Sequence, residues 1–336
     1  NAKDPEMSMH SMIPADSQEW DDVIKDIRHS FAHTRESCHA MSLTSGYKTF
    51  LYVFEKDGIR IVCPVAERDF NGYKDIVTPY GFSGFTGTGN HPEFKNYWKE
   101  FVKEKNYVCG YISLNPLFAD KDLYNTNEAF SSTNLFFLDL NKSLTELYEN
   151  LDSNRKRIIK NFKKEESCFI YDKSELTEFF TANYYDFLKS INASEASYFK
   201  KETLEYICDL DNVFMAGAVE NEKIAAVYIF AHTKYSADCL FNVPLPEGRK
   251  YAPTLLWAGL KYFMKKNIPV LNLGGGLKED DSVALSKERF GAFKLPFVNL
   301  KQIYDTDKYF SICSEVNADP KNIEGYFPAY RKPVHK

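Results

Sequence analysis

Three consecutive glycines, Gly274, Gly275 and Gly276, follow the apolar run Pro269–Leu273, and a lysine, Lys287, stands just before Phe290-Gly291. Glycine gives up side-chain packing and is used where backbone must bend sharply or approach another group closely. A lysine beside bare N–H groups could donate to a developing oxyanion or to a phosphate. It could equally be a solvated lysine on a helix over Val283–Arg289. Glu279, Asp280 and Asp281 lie between the glycines and the lysine. They read either as a source of general base or as a solvated acidic loop.

Two further stretches could bind rather than react. Arg155, Lys156, Arg157, Lys160, Lys163 and Lys164 crowd one helical stretch, with Ile158, Ile159 and Phe162 as its apolar side. Such a run recognises phosphate, or it is a solvated face with Glu165 and Glu166 as partners. Tyr80, Gly81, Phe82, Gly84 and Phe85 set aromatic faces beside bare backbone, which suits stacking on a base or sugar ring. Tyr198 and Phe199, between two helical segments, are candidates for acceptor contacts. His29 and His33 have i, i+4 spacing but neither the H-E-x-x-H arrangement nor a third ligand, so no metal site is expected. No Walker A, strand-following G-x-G-x-x-G or G-x-S-x-G pattern occurs.

The elements that must position these residues fall into two similar series. Lys48–Glu55 and Gly58–Val65 read as a hairpin about Lys56-Asp57-Gly58. The loop Tyr80–Asn90 follows, then a helix after Pro92 carrying Phe94, Trp98, Phe101 and Val102, then strands over Tyr107–Leu114 and Asn134–Leu140. The second series has a hairpin of Val213–Val219 and Ile224–Ala231 and a strand over Tyr235–Asn242. A helix opened by Pro253 and the strand Pro269–Leu273 complete it. Helices are predicted over Leu144–Lys164, Glu175–Lys189 and Lys201–Leu210. Hairpin, loop, helix, strand, twice over, predicts two α/β domains with mixed sheets.

The 336 residues are 44% hydrophobic and 26% charged, enough for a sizeable core and unlike a disordered chain. A net charge of −5 argues against a general polyanion binder but allows a local basic patch. No apolar run is long enough to span a bilayer. Residues 1–12 are polar, lack the order of a signal peptide and are expected to be flexible. The cysteine count is odd, 7, without a C-x-x-C pair, so buried thiols in a reducing cytoplasm are expected.

In this order the motifs resemble the FemAB/FemX-like branch of the GNAT acyltransferase superfamily. The resemblance covers nearly the whole chain and is carried by Thr78-Pro-Tyr-Gly-Phe-Ser-Gly-Phe85, Leu114-Asn-Pro-Leu117, Asn154-Arg-Lys-Arg-Ile-Ile-Lys160, and Leu273-Gly-Gly-Gly276 with Lys287-x-x-Phe-Gly291. It implies an α/β (α+β) fold of two tandem GNAT-like domains, mixed sheets flanked by helices. The first would run over 13–150, with 312–336 returning to it, and the second over 151–311. The chain has no long charged helical hairpin and is similar to the armless members.

What the resemblance implies about function is an aminoacyl- or acyltransferase. It would attach a small acyl group to an amine of a cell-envelope precursor, a nucleotide-linked sugar or peptide, by direct attack in an interdomain cleft. Lys287 would be the catalytic residue. Tyr80, Gly81, Phe82, Gly84, Asn115, Arg155, Tyr198, Gly274, Gly275, Gly276 and Phe290 would bind substrate. No tightly bound cofactor is implied, and the donor is left open among aminoacyl-tRNA, an acyl carrier thioester and acyl-CoA. A single-domain GNAT cradles coenzyme A pyrophosphate on a glycine-rich helix N-terminus. Here that place is Arg249-Lys-Tyr-Ala-Pro-Thr254, where the glycines are missing and Pro253 removes a donor. The alternatives are an acyl-CoA-dependent N-acyltransferase and a non-catalytic module that binds an envelope precursor.

Overall fold

A computed structural model describes residues 9–275 and 282–333. Along the chain come β1 (His10–Pro14), α1 (Glu19–Ile24), α2 (Arg35–Ser45), β2 (Lys48–Lys56), β3 (Ile59–Phe70), β4 (Tyr73–Val77), β5 (Thr86–Gly87), α3 (Phe94–Glu104) and β6 (Tyr107–Ser113). Then follow β7 (Ala129–Asp139), α4 (Leu144–Glu149), α5 (Ser153–Ile159), α6 (Phe162–Glu165), β8 (Phe169–Ile170), α7 (Lys173–Ser190) and α8 (Lys201–Asp209). The last elements are β9 (Val213–Glu220), β10 (Lys223–His232), β11 (Ala237–Pro244), α9 (Ala252–Lys265), β12 (Val270–Gly275), α10 (Ser282–Glu288), β13 (Phe293–Ile303) and α11 (Thr306–Glu315). Two compact units result, one grouping residues up to 132 with those from 297 onward, the other holding 133–296. Relative to a boundary at residue 150, this grouping moves 133–150 into the second unit and 297–311 into the first.

Each unit is a mixed sheet with helices against it, and both share one plan. In the first, β2, β3 and β4 run antiparallel, α3 crosses over, β6 lies parallel to β4, and β13 pairs antiparallel with β6. In the second, β9, β10 and β11 run antiparallel, α9 crosses over, β12 lies parallel to β11, and β7 pairs antiparallel with β12. These are tandem GNAT-like units, the fold that the motifs imply.

Local chemistry explains most of the elements. The first hairpin turns on Asp57 and Gly58, both at positive φ as a two-residue turn requires. The second turns on Asn221 and Glu222, also both at positive φ. Phe94, Trp98, Phe101 and Val102 are buried along one face of α3, and Leu256, Leu260 and Phe263 along one face of α9. Five of the cysteines, Cys38, Cys63, Cys109, Cys208 and Cys313, are buried as small core residues.

Three expectations change. The helix predicted over Leu144–Lys164 is three short helices, because Asp152 caps a new start by accepting from the Arg155 N–H. Residues 10–12 belong to β1, which pairs with β2 from His10↔Phe54 to Pro14↔Phe50. The strand β13 was not foreseen; its residues Asn299–Ile303 pair with Ser113–Cys109.

Candidate functional site

The second sheet opens between β11 and β12. Among the described residues their pairing ends at Ala237↔Leu271 and Asp238↔Asn272. Asn272 is the pin at the apex. Its Nδ2 donates to Asp238 Oδ1 at 3.0 Å, and its Oδ1 accepts from the Gly274 N–H at 2.8 Å. That second bond holds Gly274 at φ 77°, where a side chain is strained, and the register of β12 against β7 shifts at the same point.

Lys287 reaches this opening from α10. Its Nζ donates to the Gly275 carbonyl and lies over the Phe136 ring, 5.9 Å from the centroid. A Cβ on Gly274 would sit 3.6 Å from that Nζ, an ordinary contact, so it is the positive φ that favours glycine there. The charge is also felt on β11. Burial pushes the Cys239 thiol up to about 12, and Lys287 pulls against that shift. A thiol so held is not a thiolate nucleophile at neutral pH.

Arg155 joins the same group. Its Nη2 donates to Ser286 Oγ at 2.9 Å, one residue before Lys287, and its guanidinium lies 5.5 Å from the centroid of the Phe290 ring. Burial lowers the Arg155 pKa from its ordinary value, and its Nε is buried with no hydrogen-bond partner. Gly291, at φ 74°, lets the end of this segment close on α4; a Cβ there would meet the Asn150 carbonyl oxygen at 2.7 Å. Phe290 itself is buried in the apolar core.

Arg155 also lines a cavity of about 430 Å³ with Arg157, Ile158, Asn161, Glu165, Arg249, Lys250 and Pro253. The cavity stands at the start of α9, the place a GNAT uses for pyrophosphate. Here Gly248 packs against β10, where a Cβ would overlap the Ala225 carbonyl oxygen. Cationic side chains stand where a glycine cradle would offer backbone N–H groups. Glu165 is engaged by the Thr254 hydroxyl at 2.7 Å, and Lys250 by Glu220 at 3.0 Å.

The first unit treats its equivalent gap differently. Beyond Val77↔Tyr111 the loop after β4 stays stitched to β6: Ser83 bridges Leu114, and the Asn115 N–H donates to the Ser83 carbonyl. Asn115 is buried, with Nδ2 on the Phe82 carbonyl and Oδ1 on the Leu117 N–H. Gly84 at φ 72° lies against Leu114, where a Cβ would be 2.6 Å from Cδ2. Gly81 at φ 126° faces Ala32. Phe82 packs edge-on to Phe297, and Tyr80 alone stands well exposed, at 56%. These contacts give Gly81, Gly84 and Asn115 structural work in shaping the loop.

Of the other candidates, Tyr198 stacks on Tyr185 between α7 and α8. Gly276, Glu279, Asp280 and Asp281 lie outside the described residues. His29 and His33 are buried beside a 3-10 turn, with His33 Nδ1 bonded to Ser30. Asn272, Asp238 and Ser286 escaped the sequence reading. A polar Asn between Leu271 and Leu273 in an apolar strand is the signal that could have found the pin.

No protein-family model matches the sequence, and no curated protein matches it. Solved structures do match. One is FemX, at 11% identity and a TM-score of 0.68, covering 90% of this chain and 99% of that one. The chain has the FemX fold. L-PGS from Bacillus licheniformis is similar at 12% identity and a TM-score of 0.56, over 87% of this chain and 93% of that one. So is the C-terminal domain of a putative lysylphosphatidylglycerol synthetase from Agrobacterium fabrum, at 13% identity and a TM-score of 0.52, over 88% and 96%.

Proposed function

We propose that the chain is an aminoacyl- or acyltransferase that moves a small acyl group onto an amine of a cell-envelope precursor. The observation that carries this reading is Lys287, whose ammonium is held on the Gly275 carbonyl at the opening between β11 and β12. The similarity to FemX, to L-PGS and to the C-terminal domain of a putative lysylphosphatidylglycerol synthetase supports it.

The chemistry is direct attack. The acceptor nitrogen adds to the carbonyl carbon of the acyl donor, and a C–N bond forms. The carbonyl oxygen gains negative charge, and the Lys287 ammonium would offset that charge. The bond from the acyl carbon to the carrier oxygen or sulfur then breaks, and that atom leaves with the electron pair. The proton lost by the amine ends on the leaving atom. The protonated Cys239 thiol favours this route over a covalent enzyme intermediate.

The cavity lined by Arg155, Arg157, Arg249 and Lys250 fits a phosphate-bearing donor. Side-chain cations at the start of α9 favour the phosphodiester backbone of an aminoacyl-tRNA over the backbone-cradled pyrophosphate of coenzyme A. The test is to incubate the protein with charged tRNA, acyl-CoA or an acyl carrier thioester, each with a nucleotide-linked sugar-peptide, and to read the acceptor by mass. A mass gain with charged tRNA is expected. A precursor that binds yet gains no mass with any donor would overturn the reading in favour of a binding module.

A further inference from the structure

The first unit holds a cavity that the transfer reaction does not use. It measures about 190 Å³ and is lined from α3 by Lys95, Trp98, Lys99, Val102 and Lys103, from the connection before β7 by Leu123, Tyr124, Asn125 and Glu128, and from the end of β13 by Gln302, Ile303 and Tyr304. Lys95, Lys99 and Lys103 are four residues apart, so they form one stripe down the helix. Among the described residues none of the three makes an ion pair or a side-chain hydrogen bond.

The one carboxylate in the lining, Glu128, is held by neutral amides. Glu128 accepts from Gln302 Nε2 at 2.8 Å and from Asn125 Nδ2 at 3.3 Å. Gln302 is itself buried, and its Oε1 accepts from Trp98 Nε1 at 3.0 Å and from the Tyr304 hydroxyl at 2.8 Å. Asp305 caps α11 and pairs with Lys308 at 3.0 Å; the Lys103 charge is a minor influence on it. Glu100 and Glu104 of α3 act on His10, on the side of β1 and β2. Three ammonium groups thus border a hollow whose floor is a closed hydrogen-bond network and apolar surface. Like charges at this spacing repel one another, and a bound anion would relieve the repulsion.

We propose that this hollow is a phosphate-binding site, distinct from the cavity of Arg155 and Arg249. Three lysines border the hollow against one carboxylate, Glu128, and that excess of positive charge suits a multiply charged phosphate or diphosphate better than a single carboxylate. Val102, Leu123 and Tyr124 give the organic part of a phosphate ester an apolar seat. The phosphate could belong to a small nucleotide or sugar ester, or to an RNA backbone, and the two sources are separable.

The experiment uses the full chain carrying Arg155→Gln, Arg157→Gln, Arg249→Gln and Lys250→Gln, which removes the four cations that line the second unit's cavity. Inorganic pyrophosphate and a short single-stranded RNA are titrated separately by calorimetry and fluorescence anisotropy. Lys95→Gln, Lys99→Gln and Lys103→Gln are then added together; glutamine is a good helix former, and circular dichroism checks that α3 persists. The triple change is expected to weaken pyrophosphate binding at least tenfold if the site takes a small ester. If it takes an RNA backbone, only RNA binding falls, and the slope of log affinity against log salt drops by about 2, from three contacts of roughly 0.7 each. Either outcome supports the site. Equal binding of both probes before and after the triple change, or binding of neither beforehand, overturns it.

Discussion

Asn272 and Asp238 are joined side chain to side chain at 3.0 Å across the last paired residues of β12 and β11. Below this bond the two strands are one sheet. Beyond it they part, and Lys287 stands at the opening. The same amide also fixes Gly274 through its N–H, so one buried residue sets both the width of the opening and the backbone beside the lysine.

Replacing Asn272 by Ala should therefore cost stability and activity together. The change removes both hydrogen bonds and leaves the buried Asp238 carboxylate without this donor, a loss of about 1–3 kcal/mol. Urea unfolding measures it. A loss below about 0.5 kcal/mol would mean that the strands part without help from this pin.

A second prediction concerns the C-terminal segment. Asp75 is 1% exposed and accepts from Arg68 Nε at 2.6 Å, Arg331 Nε at 2.7 Å and the Tyr330 hydroxyl at 2.7 Å. Asp75→Ala strands two guanidinium groups, and breaking such a buried pair costs about 3–5 kcal/mol. The midpoint of chemical denaturation should fall accordingly, and protease should cut the C-terminal segment first. Wild-type resistance in the variant would contradict the role given to Asp75.

A third concerns acid. Burial, aided by the charge of His29, lowers the His33 pKa to about 3. An unfolded histidine binds its proton near pH 6.5, so between these values the unfolded state holds more protons than the native one. Stability is then full above about pH 6.5 and falls as pH drops toward 3, by up to about 1.4 kcal/mol per pH unit for this one group. His33→Asn should flatten the dependence of unfolding free energy on pH in that window, whatever it does to stability at neutral pH. An unchanged slope would contradict the assignment.

Much of this architecture was legible in particular residues. Asp57-Gly58 announced a hairpin, and the spacing of Phe94, Trp98, Phe101 and Val102 announced α3, because those signals are local. The strand β13 was hidden: Pro296, Asn299 and Lys301 break its apolar pattern, and Asn299–Ile303 finds its partner strand far back in the chain, at Ser113–Cys109. The motifs put Lys287 with the glycines and Phe290, and the contacts of Arg155 with Ser286 and Phe290 came only with the structure. So did the pin that spaces them, since pairing Asn272 with Asp238 depends on which strands lie side by side. Gly84 and Asn115 also shape the stitched loop, which by itself demands these residue types.

The central claim is that the Lys287 ammonium acts on the acyl group at the opening of the second sheet. The direct measurement is the single-turnover rate of acyl transfer for Lys287→Ala beside the wild-type protein, with thermal unfolding followed in parallel. The account predicts a rate at least tenfold lower, about 1.4 kcal/mol of barrier, with the cooperative unfolding transition retained. An unchanged rate in the folded variant would contradict it.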